Sequence, residues 1–191
     1  FLGASAVQRA YAQERIGSRE RSNRAFSQAL AAIPLAYQPS TVWEYSRATD
    51  LLGALVETVS GKTLGRYLQE HILGPLAMAD TGFSVPGAQH YRIAEPSEKD
   101  PDGGMAMPLS DIRMPGALEA GGAGLASTST NYARFLQCLL NGGELDGQRI
   151  LSTATVRYMT ADHLGSIGVH RAGRSGELLM PGHGFGLGFA V

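Results

Sequence analysis

The stretch that decides the fold is 39-PSTVWEYSRATDLLG-53, in the first third of the 191-residue chain. The pair Tyr45-Ser46 stands directly before a run of apolar residues at helical spacing, which comprises Ala48, Leu51, Leu52, Leu55, Val56 and Val59. We expect a helix from about Arg47 to Ser60, with Gly61 as its C-terminal stop. Tyr45 then lies at a loop-to-helix junction, from which its phenol can project into a cleft.

Two further helices follow from the same kind of periodicity. One is expected from about Thr63 to Leu73, and another begins after Ser127 or Thr128, either of which can act as its N-cap. The predicted buried face of this later helix consists of Tyr132, Phe135, Leu136, Leu139 and Leu140.

The remaining segments have weaker signals. Residues 4–32 read as helical, and Ser152 is a suitable cap for a short helix. Residues 84–122 are rich in Gly and Pro, so we expect a long irregular segment with one or two short strands. In residues 182–191, apolar residues alternate with glycines, which predicts a strand. Because a lone strand cannot satisfy its backbone hydrogen bonds, we expect further sequence beyond Val191.

Composition excludes several classes of function. Hydrophobic residues make up 43% of the chain and charged residues 17%, which is typical of a folded globular protein. The formal net charge of −1 provides no attraction to nucleic acid or to an anionic membrane. No apolar run reaches the ~18 residues of a membrane span. Cys138 is the single cysteine and is expected to be a buried small hydrophobe, so both cytoplasm and periplasm stay open as compartments.

From about Ile33 onward, the chain resembles the β-lactamase/penicillin-binding-protein-like serine hydrolases, and most of all class C β-lactamases and the related family VIII esterases. Five segments carry the resemblance in the family's order: 34–46, Gly61 with 72–83, 121–128, 132–143 and 184–189. Each segment is a weak match alone, and their shared order makes coincidence a poor explanation.

The resemblance implies an α+β, β-lactamase/transpeptidase-like fold, in which an antiparallel sheet flanked by helices and a helical subdomain enclose the active site. Residues 1–191 would be one partial domain, with about 1–160 mostly in the helical subdomain and active-site loops and about 180–191 starting a sheet strand. The implied reaction is acyl transfer through the serine of a Ser-x-x-Lys motif, with an oxyanion held by backbone amides. The histidines show no metal-ligand spacing, so we expect no metal, and no cofactor is expected either. The partner that the resemblance implies is a small-molecule ester or lactam.

Tyr45 matches the tyrosine of the family's catalytic machinery. A free phenol has a pKa near ~10 and is a poor base at neutral pH. A nearby ammonium group favours the phenolate and lowers that pKa. The resemblance therefore implies that Tyr45 manages protons together with a lysine.

Arg47 stands where class C β-lactamases have Asn, and it can only donate hydrogen bonds. Tyr-Ser-x-x-x-Asp, which ends here at Asp50, occurs in the ester-cleaving relatives, so both positions favour an esterase. Gly121, Gly122 and Gly124 are candidates for a substrate-facing wall, and ordinary loop glycines are an equal alternative.

The chain lacks the nucleophile of this mechanism. Val59 and Pro96 occupy the positions three residues before Lys62 and Lys99, so no Ser-x-x-Lys is present. We expect that motif before this sequence and a Lys/His-x-Gly strand after it, so the chain reads as an internal fragment, incomplete at both ends and inactive alone. A non-catalytic β-lactamase-like scaffold or binding protein, and a D-amino-acid peptidase, remain alternatives.

Overall fold

The structure is a computed structural model, described for residues 6–95, 111–169, 179 and 181–191. In chain order its elements are α1 (Ala6–Gln13), α2 (Asn23–Ala31), β1 (Val42–Trp43), α3 (Ala48–Ser60), α4 (Leu64–Leu68) continuing as a π-helical turn (Gln69–Leu73), a 3-10 turn (Gly87–Arg92), α5 (Ser129–Leu140), β2 (Glu144–Leu145), β3 (Gln148–Arg149), α6 (Thr153–Met159) and β4 (Gly168–Val169).

The helices begin and end close to the capping residues identified in the sequence. Thr128 Oγ1 accepts a 3.2 Å hydrogen bond from the backbone of Asn131, and Ser152 Oγ accepts one of 3.0 Å from Thr155. These bonds satisfy N–H groups for which the first turn of a helix has no internal partner. Gly61 ends α3 in the left-handed conformation, with φ of 68°. The predicted bounds of α3 and the predicted starts of α5 and α6 are thus confirmed to within about two residues.

Two small apolar clusters form the core of the described residues. The first surrounds α2 and comprises Ile16, Phe26 and Leu118. The second joins the end of α4 to α5 and comprises Leu73, Leu76, Met78 and Cys138. Cys138 is buried, as predicted, and burial raises the pKa of its thiol.

The apolar residues whose spacing predicted α3 do not form the face that the helix buries in the described part of the chain. The helix buries Asp50, Gly53 and Ala54, whereas its large apolar side chains are exposed, namely Leu51, Leu52, Leu55 and Val59. The physical reason is close packing: a Cβ added at Gly53 would lie 2.9 Å from Leu64 Cδ2. The small residues therefore allow α3 to approach its neighbours, and that approach decides which face is covered.

The buried face that the sequence predicts for α5 is wrong in part. Tyr132, Leu136 and Leu140 are exposed, and the residues that α5 buries are Asn131 and Cys138. The Asn131 side chain is satisfied because its Oδ1 accepts a 2.8 Å hydrogen bond from the backbone of Asp80. A polar residue thus takes a buried position that the apolar pattern assigned elsewhere.

Strands are short. β1 and β4 pair in parallel, and β2 and β3 form an antiparallel hairpin. The turn of that hairpin, Asp146-Gly147, has positive φ at both residues, 52° and 76°, as tight hairpin turns require. In the described parts of 84–122, the predicted strands are not observed; a 3-10 turn is present instead.

The end of the chain folds back on itself instead of forming the single strand predicted over residues 182–191. Gly184 and Val191 exchange backbone hydrogen bonds of 2.8 and 3.1 Å, and Gly186 donates to Phe189 at 2.7 Å. Gly188, with φ of 92°, permits the reversal. The strand prediction is corrected accordingly, because the segment satisfies these backbone groups internally.

In the residues that the structure describes, no helix combines the length and apolarity needed to cross a membrane.

Candidate active site

An open groove of about 880 Å³ lies along α1, α2 and the start of α3. Pockets that hold small organic ligands have volumes of about 300–1,000 Å³. Tyr45, Arg47 and Gly122 line the groove, so the fold brings together three of the five residues proposed from the sequence.

Tyr45 lies at the junction between β1 and α3, and it is 49% exposed. β1 is held by its pairing with β4 and by the Trp43 ring, which contacts Phe185 with the ring centroids 4.9 Å apart. On the other side, Ser46 Oγ accepts a 3.2 Å hydrogen bond from the backbone of Ala48. Tyr45 is therefore placed in the groove between an anchored strand and the hydrogen-bonded start of α3, and its catalytic role stays a prediction.

Arg47 and Gly122 are joined through a third residue, Asp50. Arg47 Nη1 lies 3.2 Å from Asp50 Oδ2, and the Gly122 backbone donates a 2.8 Å hydrogen bond to Asp50 Oδ1. The Asp50 side chain is only 4% exposed, whereas that of Arg47 is 44% exposed. One buried carboxylate thus connects two groove-lining groups that are far apart in sequence.

Gly121 and Gly124 do not line the groove, and their contacts are with the protein itself. A Cβ at Gly121 would lie 2.5 Å from the carbonyl oxygen of Thr49. A Cβ at Gly124 would lie 2.6 Å from the carbonyl oxygen of Ala120 and 2.8 Å from Phe83 Cε1. These two glycines allow close packing behind the wall, while Gly122 faces the groove.

The segment that leads into this wall is held by a paired amide contact. Asn23, which is 2% exposed, donates through Nδ2 to the Glu119 carbonyl at 3.0 Å and accepts through Oδ1 from the Glu119 N–H at 2.9 Å. The Glu119 carboxylate in turn accepts a 2.6 Å hydrogen bond from the backbone of Gly65, in the first turn of α4. The wall is thereby fixed to α2 and α4.

Tyr11 on α1 is a groove residue that the sequence did not reveal. Burial raises the pKa of its phenol, the positive charge of Arg47 opposes that rise, and the negative charge of Glu44 adds to it. No local motif marks Tyr11, because its place in the groove depends on how α1 packs. In the residues that the structure describes, no three His, Cys, Asp or Glu side chains are grouped as metal ligands.

Comparison with known proteins identifies the family. The family model described as Beta-lactamase matches residues 3–190. Protein Rv1367c of Mycobacterium tuberculosis is 37% identical over 169 residues, covering 85% of this chain and 41% of that protein. Esterase EstB of Burkholderia gladioli is 30% identical over 179 residues, covering 85% and 42% of the two chains.

The fold agrees with the same assignment. The structure of simvastatin synthase (LovD) from Aspergillus terreus superposes with a TM-score of 0.62 at 26% identity, covering 98% of this chain and 47% of that one. The prediction of an α+β, β-lactamase/transpeptidase-like fold is thereby confirmed. The chain spans about two fifths of the length of these curated relatives. The division into about 1–160 and 180–191 stays a prediction. The chain belongs to the β-lactamase/penicillin-binding-protein-like family of serine hydrolases.

Proposed function

We propose that the whole protein is a serine hydrolase that forms an acyl-enzyme on carboxylic esters, with β-lactams as a further substrate class. The observation that carries this proposal is the position of Tyr45 in a groove of ligand-binding size, beside Arg47 and Gly122. A relative named as an esterase supports the choice of substrate class. The nucleophilic serine and its lysine would come from sequence outside these 191 residues.

In the proposed reaction, the serine oxygen attacks the ester carbonyl carbon, and the alcohol leaves with a proton. Water then releases the acid from the acyl-enzyme. Tyr45 would transfer protons between the serine, the leaving alcohol and water, which requires a neighbouring cation because a free phenol is a weak base near neutral pH. Arg47 would donate hydrogen bonds to the substrate from the groove wall.

The preference for esters over lactams rests on two residues. Arg47 replaces the Asn that class C β-lactamases place at this position, and its guanidinium is longer and charged. Asp50 completes the Tyr-Ser-x-x-x-Asp pattern of ester-cleaving relatives. A β-lactam kcat/KM that equals that of the best ester would contradict this preference.

Exchange of Tyr45 for Phe in the intact protein tests the mechanism with p-nitrophenyl esters as substrates. We expect kcat to fall by about 10²–10⁴-fold, the usual contribution of a positioned proton-transfer group. Tyr132→Phe is the matched control, because Tyr132 is similarly exposed, at 55% against 49%, and does not line the groove. A Tyr45→Phe variant that folds normally and turns over at the wild-type rate would remove Tyr45 from the mechanism.

Mass spectrometry separates the enzyme from a non-catalytic scaffold. The intact protein, mixed with an activated ester and quenched, should carry one acyl group on a serine. A protein with neither turnover nor an acyl adduct would refute the hydrolase proposal.

A further inference from the structure

Asp50 is a buried charged residue beside the groove in which the chemistry is proposed. Its side chain is 4% exposed and sits in the first turn of α3, five positions after Tyr45. Burial of a carboxylate is costly unless cations or hydrogen-bond donors compensate it. Here the compensation comes from the Arg47 guanidinium at 3.2 Å and the Gly122 N–H at 2.8 Å. Both of these partners line the groove.

Asp50 holds two partners of different kinds, the backbone of a loop and a long side chain. Gly122 belongs to a loop without regular structure, and its N–H is directed at Asp50 Oδ1. Arg47 is a long side chain that is 44% exposed, and its Nη2 lies so close to Gly17 that a Cβ there would come within 2.7 Å. The Asp50 carboxylate therefore limits where the Arg47 side chain and the loop at Gly122 can lie.

We propose that Asp50 is a positioning residue of the acyl-transfer site, whose buried carboxylate fixes Arg47 and the Gly122 backbone at defined places beside Tyr45. This inference rests on the proposed hydrolase function. Asp50 itself borders the groove, but only 4% of its side chain is exposed, so we expect it to act through the two groups it holds. Because a misplacement of about 1 Å can cost about 100-fold in rate, loss of this carboxylate would affect turnover more than its distance from the reacting atoms suggests.

The test uses two substitutions in the intact protein. Asp50→Ala removes both interactions. Asp50→Asn is isosteric and keeps an acceptor oxygen for Gly122, but it presents an amide N–H2 to Arg47, and two donors cannot bond to each other. Asn131→Ala is the matched control, since Asn131 is also buried and also accepts a backbone hydrogen bond, at 2.8 Å from Asp80, away from the groove walls.

The readouts are kcat and KM for p-nitrophenyl acetate and octanoate, together with the unfolding midpoint. We expect Asp50→Ala to lower kcat/KM by about 100-fold and Asp50→Asn to give a smaller loss. Both should change the ratio of kcat/KM between the two esters. Asn131→Ala should lower the unfolding midpoint and leave that ratio unchanged at temperatures where it is folded.

A double-mutant cycle identifies the route of the effect. If Asp50 acts through Arg47, then Asp50→Asn should have little further effect on kcat/KM in an Arg47→Gln background. If Asp50→Ala fails to fold, the isosteric Asp50→Asn and this cycle carry the test.

The outcomes separate the two proposals. Wild-type ester turnover with unchanged kcat/KM and unchanged ester selectivity in Asp50→Asn and in any folded Asp50→Ala would overturn the positioning role and leave the hydrolase standing. Additive effects in the double-mutant cycle would overturn the route through Arg47. Absence of ester turnover and of an acyl adduct in the wild-type protein would overturn both proposals.

Discussion

Substitution of Gly121 by Ala should disturb the fold and the groove wall together. The added Cβ would lie 2.5 Å from the carbonyl oxygen of Thr49, a backbone atom of α3 that cannot rotate away. Contacts of real Cβ atoms are essentially never shorter than 3.0 Å, so the loop and the helix must separate by at least 0.5 Å, the difference between these two distances. Gly122 follows directly and moves with the loop.

The free-energy cost has two parts. Forcing an extra methyl group into a packed site costs about 1–3 kcal/mol. If the movement is passed on in full, the 2.8 Å bond from Gly122 to Asp50 lengthens to about 3.3 Å, outside the normal range of about 2.7–3.2 Å. A hydrogen bond to a charged group contributes about 1.5–3 kcal/mol. Since the loop can relax in part, we expect a total loss of about 2–4 kcal/mol.

Urea unfolding of the intact protein measures this loss, with Gly87→Ala as the control. Nothing lies within 4 Å of a Cβ added at Gly87, so its effect should stay within about 0.5 kcal/mol. The reasoning is refuted if Gly121→Ala unfolds with the same free energy as Gly87→Ala. It is refuted in a different way if the variant is destabilised while the ester kcat/KM of its folded fraction is unchanged, because the wall would then not be coupled to the site.

Two further predictions concern titratable groups outside the groove. Hydrogen bonds from Lys62 and then from Arg66 lower the pKa of Glu70 from its ordinary 4.5 to about 2, so its stabilising contribution is complete above about pH 4.5 and is lost as the pH falls towards 2. NMR titration should show Lys62→Met raising that pKa, and a Glu70 that titrates near 4.5 in the wild-type protein would contradict the contact. Cys138 is buried with a raised thiol pKa, so a disulfide reagent should react slowly with the native protein and fast after unfolding. Rapid reaction of the native thiol would show that this part of the core is open.

Helix boundaries could be predicted from the sequence because they depend on local chemistry. Thr128 and Ser152 bond to N–H groups three residues ahead, and Gly61 adopts a left-handed conformation that costs other residues more. None of these effects needs a distant partner. The position of Tyr45 directly before α3 follows from the same source, whereas its place in the groove also depends on the distant pairing of β1 with β4.

Buried faces could not be predicted in the same way, because they depend on what covers a helix. In α3 the leucines suggested one face, and the structure covers the face with Asp50, Gly53 and Ala54 instead. Its close contacts there are with Leu64 and with Gly121, and Gly121 lies far along the chain. Periodicity reports where apolar side chains lie and carries no information about such a partner. Tyr11 was missed for the same reason.

The first turn of α3 therefore links the fold to the proposed chemistry. Gly121 approaches the backbone of that turn closely, and the N–H of the adjacent Gly122 donates a hydrogen bond to Asp50. The same carboxylate pairs with Arg47, which lines the groove together with Tyr45. A substitution in the wall must then act on stability and on turnover through one contact. We expect kcat/KM and the free energy of unfolding to fall together in the Asp50 and Gly121 variants. In Asn131→Ala, the free energy of unfolding should fall without a matching loss of kcat/KM.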